Sequence, residues 1–207
     1  ELRHILEETI SQQFRSEVTF GTYFSGGVDS SLVTIMASKF LDKPIKSFSG
    51  GFNEGPEFNE LEYARIAAKT ANAELFEIFP TEQEFIDILP TLIYHLDEPV
   101  AGPGLFPQYI VSKFASQHVK VILGGQGGDE IFGGYSRYMV AYLEQALKGA
   151  IFQSNEEDEH IVSLESILPN LPTLKQYIPM MKSFWQEGSF EGMDRRYYHL
   201  INRMGST

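Results

Sequence analysis

Apolar positions Leu2, Ile5, Leu6, Ile10 and Phe14 recur every three or four residues among polar neighbours, so the chain opens on an amphipathic helix. The aromatic run Phe20 to Phe24, bounded by glycine, reads as a strand; a tight turn follows, then a helix from about Ser30 to Phe40 that opens at Asp29 or Ser30. Lys43-Pro44 closes that helix. Ile45 to Ser49 predicts a second strand running into Gly50-Gly51, Asn59 to Ala71 a helix, and Leu75 to Ile78 a third strand. Thr81 followed by Glu84 has the spacing of a capping box and opens a helix over about 82–95. After Asp97-Glu98-Pro99 and a Gly/Pro-rich turn comes a helix from about Phe106 to Gln117. Val119 to Leu123 is nearly all apolar, as a buried central parallel strand should be.

Strands alternating with helices, with glycine loops at strand carboxyl ends, predict an α/β doubly wound parallel sheet whose site lies at those ends. Beyond residue 150 the pattern weakens. Asn155 to Glu159 is an acidic run expected in a solvated loop, and Ile161 to Met181 and Phe184 to Met204 look helical with proline interruptions. The expected organisation is a nucleotide-binding domain over 1–150 and a helical C-terminal extension over 151–207, truncated and part of the same domain.

Composition narrows the partners. Sixteen Lys plus Arg against 28 Asp plus Glu give a net charge of −12, which disfavours a broad footprint on nucleic acid or anionic lipid. The acidity does not exclude ATP, because Mg²⁺ and backbone donors hold a polyphosphate inside a negative molecule. With no Cys, thiolate metal sites, disulfides and a cysteine nucleophile are excluded within this chain, and a reducing, cytoplasmic location is compatible. No apolar run approaches the roughly 20 residues of a membrane span. The five histidines show no ligand-like spacing, so zinc is not expected.

The chemistry gathers at Ser25-Gly26-Gly27-Val28-Asp29-Ser30-Ser31. Gly26 and Gly27 let the backbone take positive φ and bring N–H groups close to an anion, while Ser25, Ser30 and Ser31 add hydroxyl donors. The helix that follows aims its free N–H groups and positive dipole end at the same point. A carboxylate inside such a nest repels phosphate, so Asp29 makes sense as a ligand bringing Mg²⁺ to it; the plain alternative is a helix cap. By chance, the five fixed positions recur in a chain this long with a probability on the order of 10⁻⁴ to 10⁻³. A second loop, Gly124-Gly125-Gln126-Gly127-Gly128-Asp129-Glu130 and then Phe132-Gly133-Gly134-Tyr135, is too glycine-rich for an ordinary turn and implies close backbone approach. If its strand neighbours the first, Asp29 and Asp129 flank one polyphosphate with Mg²⁺ between them.

The first loop resembles the pyrophosphate loop of adenylating ATP pyrophosphatases, not a phosphate-transferring Gly-x-x-x-x-Gly-Lys loop, which the chain lacks. Taken with Gly51-Phe52, Asn59-Glu60, Tyr63-Ala64-Arg65, His95 to Pro99 and Gly124 to Tyr135, the chain resembles over about 25–138 the synthetase half of glutamine-hydrolysing asparagine synthetase and its amidotransferase relatives. The resemblance implies a Rossmann-like fold of the adenine nucleotide alpha hydrolase kind. It implies activation of a carboxylate, aspartate first, by MgATP to an acyl-adenylate, pyrophosphate release, and attack by ammonia. It also implies Ser25, Gly26, Gly27, Asp29, Ser30, Ser31, Gly50, Gly124, Gly125 and Tyr135 at the nucleotide, Asp29 and Asp129 on the metal, and Asp29, Gln126, Asp129 and Glu130 in catalysis. Arg137 lies close enough in sequence to Tyr135 to be a further candidate.

Ammonia in that family comes from an N-terminal glutaminase domain with an N-terminal cysteine; this chain begins at Glu1, so that domain is expected to be missing from it and the chain to be a fragment or a divergent member. Gln126 stands where relatives commonly carry a carboxylate that takes the amine's proton, and Gly102 where they often have Asp. Synthetases of GMP and NAD and tRNA-thiolating enzymes share the first loop but not the second. A sugar acid or peptide acceptor, a homodimer, and a nucleotide-binding module without catalysis remain alternatives. His95 is expected to be packed or capping, and Trp185 and Tyr197-Tyr198 to be core or interface aromatics.

Overall fold

The computed structural model describes residues 1–14, 18–52, 55, 60–97, 102, 104–152, 164–186 and 188–201. The acidic run 155–159 lies outside them, as do Asn59, Glu98, Pro99 and residues 161–163 and 202–204. Contacts divide the chain into two compact units, Glu1–Gln126 and Gly127–Thr207. Residue 150, the expected boundary, falls inside a helix, Ser136–Phe152.

In the first unit α1 (Leu2–Gln13), β1 (Phe20–Tyr23), α2 (Val28–Ser38), β2 (Ile45–Gly50), α3 (Leu61–Thr70), β3 (Ala73–Ile78), α4 (Glu82–Leu96), α5 (Leu105–Ala115) and β4 (Val121–Leu123) alternate as the periodicity requires. The described strands form one all-parallel sheet in the order β3-β2-β1-β4. Every carboxyl end therefore faces one edge, and the reversal of direction in strand order lies between β1 and β4. Alternating strand residues serve the two faces. Phe20, Ile45 and Ala73 pack with Ile10 of α1 and Met36 and Ala37 of α2, and Leu75 with Ala64 and Ala68 of α3. Phe48, Tyr23, Phe76 and Ile122 meet Val111 and Ala115 of α5 on the other face. His118 sits there too, 4.8 Å from the Phe76 ring. This is the doubly wound class.

Two expectations need correction. Val119 to Leu123 was expected at the centre, but β4 is an edge among the described strands, three residues long, with Val121 40% exposed. Its apolar character comes from facing the α5 cluster through Ile122 and from Val119, buried just ahead of it, while nothing described pairs with its outer side. His95, in the last turn of α4, is exposed rather than packed, with the Tyr94 ring 5.4 Å away.

The second unit is helical: α6 (Gly128–Phe132), α7 (Ser136–Phe152), α8 (Leu164–Ile167), a 3-10 segment (Leu168–Tyr177), α9 (Ile178–Gln186) and α10 (Met193–Ile201). The sequence reading predicts no element over α7. Val140, Ala141 and Leu143 of α7 gather Ile167, Leu174 and Phe184, with Trp185 against them. Tyr197 and Tyr198 are exposed, 46% and 60%. Glu144 and Arg196, both wholly buried, form a bidentate ion pair, and the Arg196 guanidinium also donates to Phe184 O at 2.7 Å. No described helix is long and apolar enough to cross a membrane.

Candidate active site

β1 ends at the carboxyl edge, where Phe24 N still donates to Phe48 O at 2.9 Å and Ser25 begins the turn. Gly26 has φ +90°, and a Cβ there would lie 2.7 Å from Ala64 N and 2.8 Å from Glu60 O, so glycine is required on two counts. Gly27, in contrast to the expectation, is extended (φ −65°, ψ 162°): once Gly26 has turned the chain, Gly27 must be extended to act as N-cap of α2. A Cβ at Gly27 would lie 3.3 Å from Ser25 Oγ.

α2 therefore opens at Val28, earlier than the periodicity suggests, and Asp29 is not its cap but a member of its first turn. Ser31 N makes the first helical bond, to Gly27 O at 3.0 Å. The N–H groups of Val28, Asp29 and Ser30 make no hydrogen bond among the described residues and point out of the helix end. Ser25 Oγ accepts from Gly27 N at 3.2 Å and lies 3.0 Å from Ser30 Oγ, which donates to Gly27 O at 3.2 Å. Ser31 Oγ is buried without a partner among the described residues, as is Ser49 Oγ near the end of β2. Gly50 closes β2, exposed, with Val111 beneath it.

Under the turn lies a buried hydroxyl network that the sequence reading missed. Thr22 Oγ1 and Ser47 Oγ are 2.8 Å apart across the β1–β2 pair, and Thr34 Oγ1 lies 3.0 Å from Thr22 Oγ1 and 2.9 Å from Ser30 O. It ties β1, β2 and the first turn of α2 together. The only sequence signal is polar residues at strand positions that should be apolar.

Because β4 pairs with β1, with Gly21 opposite Ile122, the second glycine loop starts beside the first. A Cβ at Gly125 would lie 2.7 Å from Ser30 N and 2.9 Å from Asp29 C, so only glycine lets this backbone rest on the start of α2. Gly124, Gly125, Asp29 and Ser30 are thus brought together, and Gln126 follows, exposed.

In the second unit α6 is a single turn bracketed by left-handed glycines, Gly127 (φ 89°) and Gly133 (φ 67°). A Cβ on Gly134 would collide with the Asp129 carboxylate. Tyr135 donates to Glu130 Oε1 at 2.8 Å, and that bond, with partial burial, raises the phenol above its ordinary range. The Arg137 guanidinium lies 3.7 Å over the Tyr135 ring, its Nε buried without a partner among the described residues. A one-turn helix has little stability of its own, and these contacts hold it.

Free helix N–H groups, the unpartnered buried Ser31 hydroxyl and the Gly125 backbone resting on the start of α2 fit a polyphosphate. No three His, Cys, Asp or Glu side chains converge among the described residues. A Mg²⁺ ion here would take most of its oxygens from phosphate and water, which suits it.

The family model for asparagine synthase matches residues 1–202. The chain belongs to the asparagine synthase family. It is 37% identical over 138 residues to the putative glutamine-hydrolyzing asparagine synthetase of Mycobacterium tuberculosis, covering 67% of this chain and 21% of that protein. Glutamine-hydrolyzing asparagine synthetase 1 of Bacillus subtilis is also 37% identical over 138 residues, 67% and 22% of the two chains, and asparagine synthetase B of Escherichia coli 30% over 151 residues, 65% and 27%. The chain thus spans about a fifth to a quarter of the length of these relatives. The NH3-dependent NAD synthetase of Campylobacter jejuni aligns over 95% of this chain and 93% of its own at 14% identity and a TM-score of 0.46, a likeness too weak to weigh.

Proposed function

We propose that this chain carries the nucleotide-activating site of an ATP-dependent amide ligase. A substrate carboxylate oxygen attacks the α-phosphorus of ATP, a C–O–P linkage forms and pyrophosphate leaves. Ammonia then attacks the acyl carbon, the C–N bond forms, AMP departs, and the amine proton passes to a base. The observation that carries the reading is the convergence, just after β1, of three unused helix N–H groups, serine hydroxyls and the Gly125 backbone. Charge that develops on leaving pyrophosphate meets donors already aimed at it, so little reorganisation is needed.

In this reading Ser25, Gly26, Gly27, Ser30 and Ser31 hold pyrophosphate oxygens, and Gly50, Gly124 and Gly125 border the nucleotide. Asp29 holds Mg²⁺, which screens the polyphosphate charge when bound. Asp129 as a second ligand, and Tyr135 at the nucleotide, are proposed from the sequence motif. Gln126 cannot take a proton at neutral pH, so Glu130 is assigned that role and Gln126 the orientation of ammonia. Ammonia is supplied by a glutaminase outside this chain, in a cytoplasmic protein. Aspartate is the acceptor suggested by the relatives' names. A different carboxylate is favoured by the large apolar groove lined by Phe52, Phe85 and Phe106. Carboxylate-dependent exchange of labelled pyrophosphate into ATP tests the reading; exchange with no carboxylate at all would sink it.

A further inference from the structure

β2 and β3 end beside each other at the carboxyl edge, where Gly51 N donates to Ile78 O at 2.8 Å. Beyond that bond lies a groove of about 650 Å³ lined by Phe52, Pro80, Phe85, Ile86 and Phe106. Phe85 and Phe106 meet edge to face at 5.1 Å, and Thr81 at its lip is locked in the capping box with Glu84. Glu82 is the one unengaged polar side chain among the residues lining it, with no hydrogen bond or ion pair among the described residues. β2, which leads into the groove, pairs with β1, which leads into the phosphate turn, so both open on the same edge of the sheet.

We propose that this groove seats the apolar body of the acceptor, so that the carboxylate activated at the phosphate turn belongs to a molecule with an apolar or aromatic end. Charge and size argue together. A small dianion such as aspartate loses hydration in an apolar groove and meets the Glu82 carboxylate there, with no described cation in its lining to offset either cost. An alkyl or aryl tail gains from burial along its whole length, and an N–H group at its end finds an acceptor in Glu82.

The inference rests on the amide-ligase reading, and two measurements on the full-length protein separate them. Calorimetry with straight-chain acids from butanoate to octanoate, and with L-aspartate, is run in the presence of the unreactive α,β-methylene analogue of ATP. Affinity should rise about fourfold per methylene. Ile86→Asp, at a position 63% exposed and so tolerant of substitution, should cut octanoate affinity at least tenfold and flatten the series. Pyrophosphate exchange should follow the same order, with KM falling as the chain lengthens. A flat series, or one unchanged by Ile86→Asp, overturns the proposal, since another part of the protein then fills the groove. So does a higher kcat/KM for L-aspartate than for every alkanoate. Chain-length-dependent, Ile86-sensitive binding without exchange for any acid upholds the groove and removes the adenylating reading instead.

Discussion

Asp29 carries the heaviest burden for a single side chain. It sits in the first turn of α2, beside unused N–H groups, where a carboxylate suits the helix dipole but opposes a phosphate. Asp29→Ala should leave the fold intact and weaken Mg²⁺-dependent ATP binding at least tenfold, about 1.4 kcal/mol, by calorimetry; unchanged affinity would remove it from the metal. The proton acceptor is a separate question. Glu130→Gln should depress amide formation by about 10² or more with pyrophosphate exchange retained, and Gln126→Glu should change the amidation rate only modestly. A hundredfold gain in Gln126→Glu would mark the native protein as silenced. Among residues, the need for glycine at 26 was legible because a strand-turn-helix pattern demands a left-handed residue near its apex. The extended Gly27 was not, because which of two adjacent glycines reverses the chain depends on what packs against it, here Ala64 and Glu60. Thr22, Ser47 and Thr34 were illegible for a like reason: their pairing needs the β1–β2 register, which local sequence does not contain.

At the scale of elements, helices with a clear apolar stripe or a cap emerged as expected. The Thr81–Glu84 box forms in full, Glu84 N donating to Thr81 Oγ1 at 3.2 Å and Thr81 N to Glu84 Oε2 at 2.8 Å. Thr81→Ala should therefore lower stability to urea by about 1 kcal/mol without changing the slope of the transition. Arg65 of α3 and Glu77 of β3 form a two-pronged ion pair, at 2.7 and 2.8 Å, that holds the Glu77 carboxyl below its usual range. A depressed carboxyl stabilises the fold above its unfolded pKa and loses that contribution as pH falls through its folded value. The difference in urea midpoint between wild type and Arg65→Met should accordingly shrink as pH falls from 7 through the folded-state value of Glu77; a gap that does not shrink on acidification would assign the effect to packing. β4 shows where element reading fails. An apolar run is the signature of burial on both faces, and it says nothing of how many hydrogen-bonded neighbours a strand has. α7 went unseen because Arg137, Glu144, Gln145 and Lys148 interrupt its stripe, and Glu144 is in fact buried against Arg196 in the second unit.

For the whole molecule, the parallel sheet was legible from strands alternating with helices, and the family from the resemblance carried by the two glycine loops and the motifs between them. The apolar groove was not, because it is assembled by side chains from the ends of β2 and β3, the start of α4 and the start of α5, far apart in sequence. On the proposed reading, the helix N–H groups and hydroxyls of the turn hold the leaving pyrophosphate, so attack falls at the α-phosphorus. Chromatography of nucleotides after turnover of the full-length protein with MgATP, ammonia and an accepted carboxylate should therefore show AMP and pyrophosphate in equal amounts; ADP and inorganic phosphate as the main products would contradict the account.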